Sequence, residues 1–120
     1  MKRDWDTIRE ILIATEDLEP NKTIGLSDFD EERAFSISYH VKLLSEAGII
    51  YATLSQTLGR GPMKFFIHRL TWEGHEFLDS IKSKSTWDKT KSLINEKGGA
   101  MSFDVIKGVA VQIGKSALGL

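Results

Sequence analysis

The sequence predicts an α+β chain, mainly α, and three observations carry that prediction. Residues 36–47, SISYHVKLLSEA, repeat apolar side chains at three- and four-residue steps and stop at Gly48. Two β-prone runs, Ile49–Thr57 and Phe65–Leu70, flank a turn-rich segment from Leu58 to Lys64 that contains Gly59, Gly61 and Pro62. Helix-period segments precede and follow this centre. The order is helix, short strand, helix or helix pair, strand, turn, strand, helix. With two more helices behind, it is that of a winged helix-turn-helix with a two-stranded wing and additional C-terminal helices.

Taken in chain order, residues 3–17 repeat Trp5, Ile8, Ile11, Leu12 and Thr15 on one face, with Asp4 and Asp6 near the N-terminus where the helix dipole favours negative charge. Glu19-Pro20-Asn21 breaks this helix, and Thr23-Ile24-Gly25-Leu26 supplies a short edge strand. Ser27-Asp28-Phe29-Asp30 has the form of a capping box, so a helix is expected from there. Residues 28–47 contain no Gly or Pro, and read as one helix or as two with a break near Phe35-Ser36. In the second part Ile37, Val41, Leu44 and Ala47 form the apolar face with Leu43 beside it, while Ser38, Lys42, Ser45 and Glu46 point away.

Beyond the hairpin, Thr71 caps a helix through about Lys82, with Trp72, Phe77, Leu78 and Ile81 as its buried positions. Ser85-Thr86-Trp87-Asp88 repeats the capping pattern and starts a helix that Gly98-Gly99 ends. Phe103, Ile106, Val109, Ala110, Ile113 and Ala117 stripe a last helix over 103–118. Trp5, Trp72 and Trp87 each head a helix and are expected to lock it in place. The division expected is a winged-helix region, 1–82, and a helical extension of the same domain, 83–120.

Composition narrows the function classes. At 120 residues the chain is expected to form one domain, and the absence of Cys excludes disulfides, thiolate metal sites and a cysteine nucleophile. The opening MKRDWDTIREIL alternates charges where a secretory leader would be apolar, and no long apolar window exists, so a soluble cytoplasmic protein is expected. Residues 1–50 hold eleven acidic and six basic side chains, a balance of −5; residues 51–120 hold six and ten, a balance of +4, which together give −1. A phosphate-facing surface would therefore draw on the second half.

No enzyme or metal pattern stands out. His40, His68 and His75 match no ligand spacing, and His40 reads as a half-buried helix residue or as a DNA-facing donor. Gly59-Arg60-Gly61-Pro62 is a hairpin tip rather than a phosphate loop, and no nucleophile elbow is present. The expectation is a non-enzymatic protein without cofactor or metal.

Two motifs carry a resemblance. Ser38-Tyr39-His40-Val41-Lys42-Leu43-Leu44-Ser45-Glu46-Ala47-Gly48-Ile49-Ile50 resembles the helix-to-strand signature of arsenic-repressor-type winged-helix regulators. Arg69-Leu70-Thr71-Trp72-Glu73-Gly74 resembles the segment after the wing in phenolic-acid and multiple-antibiotic-resistance repressors. Almost end to end, through MKRDWDTIREIL, YHVKLLSEAGII, RLTWEGHEFLDSI, TWDKTK, GGAMSFDVIK and ALGL, the chain resembles the family of unknown function numbered two-five-one-three, found in bacteria and their phages. That kinship implies a phage or prophage setting and no established activity.

The winged-helix resemblance implies that the second helix of the motif enters the major groove and the wing touches the backbone. Carried over by position, the DNA-facing residues would be Ser36, Ser38, Tyr39, His40 and Lys42 on the helix, with Arg60 and Lys64 on the wing. The helix lacks Arg, Asn or Gln for bidentate base readout, Glu46 repels phosphate, and Asp28, Asp30, Glu31 and Glu32 lie just upstream. Two functions are therefore carried forward. One is a double-stranded-DNA binder, a dimeric regulator. The other is a module that binds a host or phage protein through the same fold. Residues 103–118 would either pack on the first helix or form the homodimer seam.

Overall fold

The computed structural model of the protein describes residues 1–55 and 59–120. It is α+β and mainly α, with five α-helices and a three-stranded antiparallel sheet of order β1-β3-β2 among the described residues. The chain divides into two compact units, Met1–His75 and Glu76–Leu120, and the division falls inside a helix. No helix of the described residues is long and apolar enough to cross a membrane.

In the first unit, α1 runs Trp5–Glu16, α2 Ala34–Glu46, and the strands are β1 Ile24–Gly25, β2 Ile50–Leu54 and β3 Phe65–Leu70. Both helices pack on the sheet and on each other. Ile11 and Leu12 of α1, Ile37 and Val41 of α2, and Phe65 and Ile67 of β3 are fully buried. Each contributes roughly 2 kcal/mol by leaving water.

The α1 stripe is as predicted, and Asp4 caps the helix by accepting the Asp6 N–H at 3.1 Å and the Thr7 hydroxyl at 2.9 Å. The capping box expected at Ser27 does not form. Asp28 instead turns back to accept the Gly25 N–H at 2.8 Å, and Phe29 is extended, with its ring centroid 6.4 Å from that of Phe65. Two single 3₁₀ turns, Leu26–Asp28 and Glu31–Arg33, therefore stand where either one helix over 28–47 or a first helix before a break near Phe35-Ser36 was expected, and α2 begins at Ala34.

Gly48 has φ +72° and ends α2, as its position in the sequence predicts. Ala47, expected on the buried face, is exposed at the C-cap of the helix. Strand β2 ends at Leu54, and the Ser55 N–H still reaches the Lys64 carbonyl at 2.8 Å. The expected continuation to Thr57, and Leu58 at the start of the turn, lie outside the described residues. Pairing of Tyr51 with Arg69 and of Ala52 with Ile67 leaves His68 as an extra residue. This bulge turns both His68 and Arg69 toward solvent.

Helix α3, Trp72–Ile81, begins at Thr71 as expected. The Thr71 hydroxyl accepts the Gly74 N–H at 3.0 Å and donates to the Gly48 and Ile49 carbonyls at 2.6 and 3.0 Å. Gly74, Phe77, Leu78 and Ile81 are buried. Trp72 is 76% exposed, contrary to expectation, because it lies two residues before Gly74, about 200° around the helix from that stripe.

In the second unit, α4 runs Lys84–Glu96 and α5 Phe103–Ala117, packed on each other. Ser83 rather than Ser85 caps α4, accepting the Thr86 N–H at 3.4 Å, and Lys84 pairs with Asp88 at 2.6 Å. Trp87, Thr90 and Ile94 form its buried face, and Gly98 ends it with φ +69°. In α5, Ile106 and Ala110 are buried, Phe103 stacks on Phe77 at 4.4 Å, and Ala117 is exposed, so the buried stripe is narrower than expected.

Candidate nucleic-acid interface

Helix α2 presents two kinds of polar residue. Ile37, Val41 and Leu44 turn to the core, and the burial spreads to His40 on one side of that stripe and Ser38 on the other. Ser38 had been expected on the exposed, DNA-facing side, and His40 either there or half-buried in the helix. The His40 ring is 1% exposed: Nδ1–H donates to the Ser36 carbonyl at 2.7 Å, and Nε2 accepts the Asp4 N–H at 2.8 Å. Those two partners fix the neutral ring with its proton on Nδ1, because a carbonyl can only accept and an amide can only donate. His40 thus satisfies a backbone donor at the α1 N-terminus that the helix cannot satisfy itself. Ser38 donates its hydroxyl to the Phe35 carbonyl at 3.2 Å, and Ser36 is half-buried with its carbonyl committed to His40.

Tyr39 and Lys42 remain available. Together with Ser38 they form one wall of a groove of about 400 Å³, whose other wall is Leu54, Ser55, Gly59, Gly61 and Met63 of the β2–β3 hairpin. Tyr39 stands edge-on to His40 with ring centroids 5.6 Å apart, so the buried imidazole props the phenol at the groove. Lys42 is exposed, and Arg60 is exposed between the two groove-lining glycines. Lys64 does not join them. It lines a separate hollow with Pro62, Phe65 and Phe66. The groove positions that sequence reasoning missed, Leu54, Ser55 and Met63, are apolar or small and carry no motif of their own.

The electrostatics around α2 are mixed. Asp28, Asp30, Glu31 and Glu32 are exposed on the 3₁₀ turns before it. Arg33 is held away from any ligand by a two-pronged pair with Glu10 at 2.8 and 2.9 Å, which ties α1 to the start of α2. That hydrogen bond holds the Glu10 carboxyl below the usual glutamate range and raises the Arg33 guanidinium, with burial opposing each shift. Both side chains are largely solvated, so the pair contributes about 0.5 kcal/mol or less. Because the folded value is lowered, this contribution is present above about pH 4.3 and is lost as pH falls through the lowered value. Among the described residues, no group of three His, Asp or Glu side chains comes together to hold a metal ion.

The two motifs, residues 38–50 and 69–74, now have physical content. In the first, His40 latches α2 to α1 and Gly48 stops the helix. In the second, Thr71 caps α3 while gripping the Gly48 and Ile49 carbonyls, and Gly74 lets α3 start against Ile49, whose carbonyl oxygen a Cβ at that position would strike. They meet at a single corner, where α2 ends, β2 begins and α3 starts.

Comparison places the chain. Residues 2–100 match the family described as hypothetical protein (DUF2513), and the chain belongs to that family. It is 39% identical over 117 residues to an uncharacterized protein of Haemophilus influenzae, a match that covers 94% of this chain and 95% of that one. No solved structure matches.

Proposed function

We propose that this chain is a non-enzymatic winged-helix protein that binds double-stranded DNA, with α2 as the groove-facing helix and the β2–β3 hairpin as the wing. The observation that carries the reading is the groove between them, with Tyr39 and Lys42 on one wall and Gly59 and Gly61, which flank the exposed Arg60, opposite. Its polar set suits phosphate contact rather than base readout: Tyr39 offers a hydroxyl, and Lys42 and Arg60 offer charge. The resemblance of the motifs to those of arsenic- and phenolic-acid-type repressors supports the same reading, and the role proposed is that of a dimeric regulator in a phage or prophage.

Binding to mixed-sequence duplex DNA, followed by anisotropy across a salt series, tests it. Two phosphate contacts predict a slope of about −2 in log affinity against log salt, and Lys42→Ala should flatten that slope by about one. Duplex that fails to bind at low ionic strength overturns the proposal.

A second reading, a protein-binding module, is favoured by a different observation. Phe35 is 53% exposed at the first turn of α2, beside the acidic 3₁₀ turns that hold Asp28, Asp30, Glu31 and Glu32. An exposed aromatic side chain that closely follows a run of carboxylates in the chain suits a basic, apolar segment of a host or phage protein better than it suits phosphate.

A further inference from the structure

The outer face of the sheet is unlike the solvated face expected of a small antiparallel sheet. Its inner residues, Ile24, Ile50, Phe65, Ile67 and Leu70, are buried. Outside, Gly25 pairs with Phe66, Phe66 with Thr53, and Tyr51 with Arg69. Phe66 is 55% exposed and Tyr51 60%, so two large rings on this face meet water. The bulge adds His68 to the same face, its ring 5.9 Å from that of Tyr51 and its Nε2 2.7 Å from the Thr53 hydroxyl. The Arg69 guanidinium sits over the Tyr51 ring at 5.2 Å. Lys64, one residue before β3 and exposed, has the same strand parity as Phe66. No carboxylate is among these outward residues. Carboxylates lie at the border: Glu16 and Glu19 share a hollow with His68 and Arg69, and Glu31 shares one with Lys64 and Phe66.

The geometry points to a binding platform for single-stranded nucleic acid on this sheet face, separate from the α2–hairpin groove. Each nucleobase has a flat π-face, and exposed aromatic rings on a sheet stack bases with little regard to sequence. Phe66 and Tyr51 supply those rings, with His68 as a third planar surface. Cationic ends answer the phosphates: Lys64 stands at one end of the row and Arg69 at the other. At about 3.3 Å per residue the row from Lys64 to Arg69 spans about 17 Å, room for roughly two or three stacked nucleotides. Gly25 lies beside Phe66 on the neighbouring strand, where a Cβ would make ordinary van der Waals contact with the ring at 3.6 Å.

The test uses the full chain and two probes, a labelled oligothymidylate of about ten nucleotides and a duplex of the same length. The oligothymidylate should bind at low ionic strength, and Tyr51→Ala and Phe66→Ala should each weaken it about tenfold. Tyr51→Phe, which keeps the ring, should bind as the parent does. Lys42→Ala should leave single-strand binding unchanged, and the two ring deletions should leave any duplex binding unchanged. The targeted side chains are exposed, and matched circular dichroism and melting curves confirm that each variant folds. Three results would overturn the proposal: no binding of oligothymidylate, equal binding by the folded Tyr51→Ala/Phe66→Ala double variant, or sedimentation showing a dimer that those two changes dissociate. The last would mean that a second copy covers the face instead.

Discussion

At the scale of single residues, His40 decides how α2 is used. A histidine on a helix of this type invites a DNA-facing reading, yet its two ring nitrogens are both engaged inside the fold, by Ser36 and by Asp4. Removing the ring leaves the Asp4 N–H without its acceptor and opens a cavity between α1 and α2. His40→Ala should therefore cost about 2–4 kcal/mol in urea unfolding, since a missing partner and a missing ring act together. His40→Gln, whose carboxamide oxygen can still accept, should cost less. If the alanine variant unfolds at the same urea concentration as the parent, the latch is of no consequence. The sequence held a partial signal for this. His40 lies one residue before Val41 and three after Ile37, at the margin of the apolar stripe, where a helical wheel cannot separate a buried polar group from an exposed one. What decides it is the α1 N-terminus, 36 residues away. No local pattern encodes that meeting.

At the scale of elements, the elements with strong punctuation were legible and those resting on one weak cue were not. Gly48, Thr71 and Gly98 each mark a boundary through backbone chemistry that tertiary packing does not overrule. The Ser27–Asp30 pattern rested on side-chain spacing alone, and a competing bond from Asp28 to Gly25, with Phe29 drawn toward Phe65, outweighed it. The groove was legible in part for the same reason. Tyr39 and Lys42 follow from helix phase, whereas the separation of Lys64 from Arg60 depends on which face of the hairpin each side chain takes. The corner where α2, β2 and α3 meet yields a sharp prediction. A methyl group at Gly74 would drive into the Ile49 carbonyl oxygen, a backbone atom that cannot rotate away, whereas at Gly61 nothing lies within 4 Å. Gly74→Ala should destabilise by about 3 kcal/mol or more, the upper part of the overpacking range, and Gly61→Ala by less than about 0.5 kcal/mol. Thermal melting of the two variants beside the parent checks the contrast, and equal melting temperatures would refute it.

At the scale of the whole molecule, the surfaces divide by chemistry. The α2–hairpin groove mixes polar and apolar side chains, the outer sheet face is aromatic and basic, and the second unit leaves apolar side chains of α5 exposed. There Ile106 and Ala110 account for the buried side of α5, while Val105 and Val111 stay exposed and Leu118 and Leu120 follow in the open. Beside them a groove of about 840 Å³ runs between α4 and α5, lined by Leu93, Val109, Ile113 and Ala117 and floored at Gly108, where a methyl group would meet nothing within 4 Å. A helix that leaves this much apolar surface uncovered, next to a groove with small residues in its wall, can bury both by pairing with a second copy about a two-fold axis. The proposed dimeric regulator needs such a seam, because two α2 helices read two half-sites only when a dimer holds them apart at a fixed spacing. Sedimentation equilibrium should therefore find a dimer, and Val111→Asp should shift it to monomer, since a carboxylate buried without a partner in an apolar seam costs several kcal/mol. Val111 is exposed, so the change should leave the melting curve of the monomer near that of the parent. A parent chain that sediments as a monomer removes the seam, and with it the dimeric form of the regulator, while single-site duplex binding through Lys42 and Arg60 would stand.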